Sequence, residues 1–290
     1  MQLFGGALVA TRKEGDSLAS IKNIVDEEIC FLDVDNLPDR LMLGYYSDDF
    51  RLEKGQVTVI ASRPSVGKSN LMQNLVQDVF MSQNISIGYF SHVRKPLLLD
   101  RMIAAQQILG ESDTHSANKR LSKSNVVIND TQQITMNELN AMIESMVQNH
   151  EIQLLAIDSF ENIHVRDSSE DEAAAVVFSY LNEMSKYLNI PIVVTIRLNR
   201  NLEKRNDKRP RMTDINNYRV IEQSVGSIVY LYRDELYEIN SEYKDLVEIT
   251  FEHADGRNNG IILMEYDGKK SCFKRYKPYM IDEYNAEVWI

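Results

Sequence analysis

Apolar positions recur with two different periods along this chain, and each change of period marks an element. Leu18, Ile21, Val25 and Ile29 are spaced by three and four residues. They share one face of a predicted helix over 16–29, with Asp16 or Ser17 as its cap. A short helix with one apolar stripe must dock on something, either its own domain or a neighbouring subunit. From about residue 50 short β-branched runs alternate with helical stretches. QVTVIA (56–61), ISIGYF (85–90), NVVIND (125–130), IQLLAI (152–157) and IPIVVTI (190–196) read as strands. The intervening helices are expected over 68–83, from Pro96 to about Leu109, from a Thr135 cap to about Gln148, and over 170–188. GSIVYLY (226–232), VEITFE (247–252) and IILMEY (261–266) then follow as strands joined by turns. Residues 112–124 gather Ser, Asn and Lys and read as an exposed connection.

Strands alternating with helices imply parallel pairing through right-handed crossovers. Short, wholly apolar strands imply a sheet covered on both faces. The expectation is an α/β fold with a mainly parallel sheet, helices on both faces and some antiparallel strands near the C-terminal end. No internal repeat is present, and nothing between 45 and 280 suggests a domain boundary. The predicted organisation is an N-terminal extension (1–44), one domain (45–280) and a tail (281–290).

With 290 residues, 43% hydrophobic and 26% charged, the chain can fill a sizeable core. No apolar run approaches the roughly 18 residues that span a bilayer. The opening MQLFGGALVATRKEGD has no basic residue before its apolar stretch, so a cytoplasmic location is expected. Two distant cysteines, Cys30 and Cys272, argue against a disulfide framework or a four-thiolate zinc site, and both are expected to be buried and inert. The formal charge is −11, but residues 197–211 (RLNRNLEKRNDKRPR) carry seven cations and two anions. A basic segment on an acidic body suits a narrow surface that touches phosphate, but charge alone favours a solvated loop with partly paired charges.

The sharpest chemical signal is Ser62-Arg63-Pro64-Ser65-Val66-Gly67-Lys68-Ser69. It fits the phosphate-loop pattern GxxxxGK[ST] except for Ser62 in place of the first glycine, with a β-branched strand before it and a helix after it. In such a turn backbone N–H groups and a helix N-terminus face phosphate oxygens. Lys68 would reach the β- and γ-phosphates of ATP, and the Ser69 hydroxyl would ligate Mg²⁺. LLAIDS (154–159) puts Asp158 at a strand's C-terminal edge, where a carboxylate orients the Mg²⁺ shell.

From about residue 45 to 279 the chain resembles the C-terminal, RecA-like ATPase domain of DnaB-type hexameric replicative helicases. The resemblance rests on LEKGQVTVIASRPSVGKSNLMQNL (52–75), LNRNLEKRNDKRP (198–210), IEQ (221–223) and YLYRDELYEINSEYK (230–244). It implies a RecA-like P-loop core, ATP and Mg²⁺ as ligands, a role in DNA replication, and assembly into a ring or with a replicative helicase. It also implies a relative without the family's N-terminal helical domain. Residues 16–29 stand where the family's linker helix packs on the adjacent subunit. Single-stranded DNA is the implied polymer, with Arg200, Lys204, Arg205, Lys208 and Arg209 as its candidate contacts.

Departures from the family pattern fall on hydrolysis. Val93 stands where the family has its water-polarising glutamate, and His92 and Glu161 are possible stand-ins. Arg197 replaces the glutamine that senses γ-phosphate. His253 and Asp255 stand at the family's Lys-x-Arg finger positions, with Arg257 two residues on. Asn216-Asn217-Tyr218-Arg219 replaces a channel-lining Arg-Glu-Ser-Gly. The expectation is nucleotide binding with weak or lost hydrolysis, a pseudoenzyme. Two alternatives stay open: an active ATP-driven translocase, and a loader or inhibitor of a true helicase.

Overall fold

A computed structural model describes residues 40–42, 51–108, 114–166, 168–253, 260–276, 280–281 and 287–288. The expected helix over 16–29, Cys30, Asp255 and Arg257 lie outside the described residues. Nine strands form the main sheet: β1 (Val57–Ser62), β2 (Ile87–Ser91), β3 (Val126–Asn129), β4 (Leu154–Asp158), β5 (Ile192–Arg197), β6 (Ser227–Tyr232), β7 (Leu246–His253), β8 (Gly260–Asp267) and β9 (Cys272–Arg275). Their spatial order is β9-β8-β7-β6-β1-β5-β4-β2-β3. The pairs from β6 to β3 are parallel, and β7, β8 and β9 extend the sheet antiparallel.

Six α-helices accompany them among the described residues: α1 (Lys68–Gln83), α2 (Lys95–Ile108), α3 (Thr114–Leu121), α4 (Met136–His150), α5 (Glu170–Leu188) and α6 (Tyr218–Ser224). The period-2 alternation of β1 divides the core. Ile60 joins Leu71, Leu75, Leu98 and Met102 of α1 and α2 on one face, while Val57, Val59 and Ala61 join Leu139, Phe178, Leu181 and Ile221 of α4, α5 and α6 on the other. Each such aliphatic side chain contributes at most about 1.5–3 kcal/mol by leaving water. Among the described residues no helix is long and apolar enough to cross a membrane.

Local signals explain several boundaries. Thr135 and Ser169 cap α4 and α5 with reciprocal capping boxes to Glu138 and Glu172. Glu151 and Asn189 end those helices in the left-handed conformation. Two segments differ from expectation. Residues 114–121 are helical, not an open connection: Ala117 alone is buried, and Lys119 and Arg120 sit in the last turn where they complement the helix dipole. One apolar contact point leaves almost no periodic signal. Strand β9 is also new, paired to β8 across the turn at 268–271.

Helix α1 buries polar residues as well as apolar ones, and Asn74 and Gln77 both find partners there. Asn74 Nδ2 donates to Ser271 O at 3.0 Å, and its Oδ1 accepts from Phe273 N at 2.8 Å. Gln77 Nε2 donates to Met102 O at 2.7 Å. These amides lock α1 to β9 and α2.

Candidate functional site

Strand β1 ends at Ser62, and the turn that follows leads directly into α1 at Lys68. Ser65 (φ 67°) and Gly67 (φ 120°) both take positive φ. A Cβ on Gly67 would meet Phe273 Cζ at 3.1 Å, so glycine is required by backbone and space alike. Ser62 is fully buried, its Oγ donates to Arg63 O at 2.8 Å, and its carbonyl accepts Leu198 N at 3.0 Å. A small residue serves there as glycine would. Val66 is buried and anchors the turn in the core, while Pro64 and Ser65 are exposed.

Arg63 is engaged by two partners. Its Nε donates to Glu203 Oε1 and its Nη1 to Leu198 O, both at 2.8 Å. It fastens the turn to the segment after β5. Lys68 has no ion-pair partner among the described residues, and the first turn of α1 carries no acid. The first N–H groups of a helix lack intrahelical acceptors, and here they stand beside a lysine without an ion-pair partner, an arrangement that attracts an anion.

Asp158 lies behind this turn with its side chain fully buried. Strand pairing sets it beside Ser91, and three side chains converge on its carboxylate. Oδ1 accepts from Ser69 Oγ at 3.1 Å and from Thr195 Oγ1 at 2.6 Å. Oδ2 pairs with His92 Nδ1 at 2.9 Å, and His92 N donates to Asp158 O at 2.7 Å. The hydrogen bond to the Asp158 carboxylate raises the His92 pKa, against burial and the Lys68 charge. The peptide bond from Asp158 to Ser159 is cis.

The Ser69 hydroxyl and the Asp158 carboxylate fit Mg²⁺. They are hard oxygen donors, and oxygens on adjacent corners of an octahedron at 2.0–2.1 Å lie about 3 Å apart. Among the described residues no group of three or more His, Cys, Asp or Glu could hold a metal alone. A cation here would share its shell with water and phosphate.

The residues at the hydrolytic positions lie elsewhere in character. Val93 is 8% exposed and belongs to the core on the α1 face. Of the two stand-ins, His92 is occupied by Asp158. The Glu161 carboxylate accepts the backbone N–H of Arg197 at 2.5 Å. Arg197 ends β5 beside Ser62. His253 ends β7, its ring edge-on to Phe251 at 6.3 Å.

The cation segment is not one patch. Arg205 makes a bidentate pair with buried Asp214 (2.7 and 2.9 Å). Arg209 makes another with Glu248 (2.6 Å twice), stacks over Tyr232 at 5.2 Å, and has its pKa raised chiefly by that carboxylate. Arg200 and Lys208 have no side-chain partner among the described residues, and Lys204 makes one long contact to Asn201. Arg197 and Arg200 line a cavity of about 520 Å³ with Phe160, Asn199, Asn216 and Asn217. Sequence reasoning missed Thr195 and the aromatic pair Tyr266 and Phe273, which packs on Gly67. It also missed Asn70, which bonds Tyr266 Oη. The pairing register reveals the first, and the packing of β8 and β9 on α1 reveals the rest.

The family model described as DnaB-like helicase C terminal domain matches residues 49–275. The replicative DNA helicase DnaB of Buchnera aphidicola subsp. Acyrthosiphon pisum is 26% identical over 249 residues, 80% of this chain and 54% of that protein. The chain thus spans about half the length of that curated relative. A DnaB-like replicative helicase, solved in a study of its interactions with primase, superposes with a TM-score of 0.71 at 20% identity, covering 90% of this chain and 68% of its own. A separately solved ATPase domain gives 0.73 at 22% identity, covering 90% of this chain and all of that one. At these identities the two structures show a shared RecA-like fold.

Proposed function

Because the chain belongs to the DnaB-like helicase C-terminal domain family, we propose that it is an ATP-binding protein of DNA replication that hydrolyses its nucleotide slowly or not at all. The observation that carries this reading is the 3.1 Å contact of Ser69 Oγ with Asp158 Oδ1 directly behind the turn 62–69. Backbone N–H groups of that turn and the Lys68 ammonium bind the β- and γ-phosphates. Mg²⁺, held by Ser69 and Asp158, would neutralise charge on the terminal phosphates. Thr195 and His92 fix the orientation of the Asp158 carboxylate.

Slow turnover follows from what the remaining positions lack. A valine cannot accept a proton from an attacking water, and Val93 is turned into the core. His253 and Asp255 do not offer the paired Lys and Arg that reach a neighbour's γ-phosphate. Loss of a transition-state cation costs about 10³–10⁵ in rate where it is known. Family membership supports assembly as a ring of identical chains or with a replicative helicase, which the chain would load or restrain. Contact with single-stranded DNA falls to Arg200, Lys204 and Lys208, because Arg205 and Arg209 are already committed to Asp214 and Glu248.

Two measurements test this. Calorimetry with ATP and Mg²⁺ should show binding to the wild type and none to Lys68→Ala; no heat with the wild type removes the nucleotide reading. Phosphate release, with and without single-stranded DNA, should be very slow and should rise in Val93→Glu. A wild-type rate within about tenfold of ordinary enzyme turnover favours the active translocase instead.

A further inference from the structure

We infer that the Arg63 side chain braces the phosphate turn and is not itself a phosphate ligand, so that nucleotide affinity depends on Glu203, a carboxylate that touches no nucleotide. The inference rests on the nucleotide-binding reading above and assigns a positioning pair to that same site.

Three observations carry it. First, the turn has a backbone shape that needs outside support. Ser65 at φ 67° and Gly67 at φ 120° both take positive φ, and Ser65 does so with a side chain and in an exposed position. Such conformations persist where the surroundings over-determine them. Buried Val66 fixes one side of the turn in the core, which leaves the Arg63 side to be held from elsewhere.

Second, the Arg63 side chain, only 12% exposed, reaches that support across the chain. Nε donates to Glu203 Oε1 and Nη1 to Leu198 O, 140 and 135 positions away. Both partners stand on fixed backbone. Leu198 N bonds Ser62 O at 3.0 Å, and Asn199 N bonds Asp214 O at 2.8 Å. Glu203 lies in a 3-10 turn (Arg200–Lys204) that is capped by the Asn199 side chain and seated on fully buried Leu202.

Third, the two cations of the turn are placed differently. Glu203 neutralises Arg63, whereas Lys68 has no ion-pair partner among the described residues. The lysine is the cation left for phosphate, and the arginine's planar fork is committed to geometry. The two possible roles of Arg63 predict opposite signs. A brace loses its hold when Glu203 is removed, and nucleotide binds more weakly. A phosphate ligand restrained by Glu203 would be freed by the same change, and nucleotide would bind more tightly.

The test is binding of fluorescent ADP with Mg²⁺, at equilibrium and by stopped flow, to wild type, Glu203→Gln, Glu203→Ala, Arg63→Lys, Arg63→Ala and the double variant Arg63→Ala/Glu203→Ala. The Glu203 variants should weaken binding about threefold and Arg63→Ala about tenfold, with Arg63→Lys between wild type and alanine. The double variant should be no weaker than Arg63→Ala, since both changes act through one contact. The loss should fall on the association rate, because fewer unliganded molecules hold the turn ready, while dissociation stays within about twofold. Thermal melting checks that the Glu203 variants, changed at a side chain 43% exposed, are folded. Affinity unchanged or raised in both Glu203 variants, or a loss confined to dissociation, overturns the inference and leaves the nucleotide reading standing. A wild type that binds no ADP overturns both.

Discussion

Gly67→Ala is the substitution whose cost the structure defines most closely. The residue sits at φ 120°, a conformation that side-chain-bearing residues rarely adopt, and a Cβ there would lie 3.1 Å from Phe273 Cζ and 3.7 Å from the Tyr266 ring. Backbone strain of this kind costs about 1–3 kcal/mol. The contact adds to it, because Phe273 cannot retreat: it is fully buried and its N–H is held by Asn74 Oδ1 at 2.8 Å. A loss of about 2 kcal/mol should lower Tm by about 4–8 °C in a domain of this size. Relief of the strain would flatten the turn, so nucleotide affinity should fall as well. Differential scanning calorimetry and nucleotide titration measure the two effects. Gly268→Ala is the control, since its Cβ would make only an ordinary contact of 3.4 Å with Tyr266. It should stay within about 0.5 kcal/mol of wild type. If Gly67→Ala melts with the control and binds nucleotide normally, the argument that this turn needs glycine is wrong.

Other consequences are open to simple measurement. Asp214→Ala removes the buried partner of Arg205 and the acceptor of Arg211 N (2.8 Å), so urea unfolding should show a loss of about 2–3 kcal/mol; a change below about 0.5 would make the pair a bystander. Hydrogen bonds from Ser241 and Tyr232 hold the Asp234 carboxyl below its ordinary pKa. Its stabilisation is therefore complete above the unfolded carboxylate value and lost as pH falls through the folded one, and Asp234→Asn should flatten the acid limb of a stability profile. Burial pushes the Cys272 thiol up to about 11. Peptide mapping should find it unmodified by iodoacetamide at neutral pH in the folded protein and readily modified after unfolding, and rapid native labelling would contradict its placement.

What was legible in the sequence is what neighbouring residues decide among themselves. The turn 62–69 could be read because a strand, a short loop with glycine and a helix start are adjacent in the chain. The strands were legible as apolar runs, and the start of α4 was legible in its Thr135 cap. Contacts set by strand register were not legible. Thr195 and His92 reach Asp158 across 37 and 66 positions of sequence. The basic run 197–211 could not be resolved between a phosphate-touching surface and a loop of partly paired charges, because the partner of Arg209, Glu248, lies 39 residues away. Helix α3 was hidden by its polar composition, and β9 by its brevity.

Asn74 has a mechanical consequence. Its amide ties the middle of α1 to the last strand of the sheet, whose Phe273 ring presses on Gly67. Helix and strand are thereby joined beside the phosphate turn, so a substitution on the sheet's outermost strand has a direct route, through Phe273, to the backbone at Gly67.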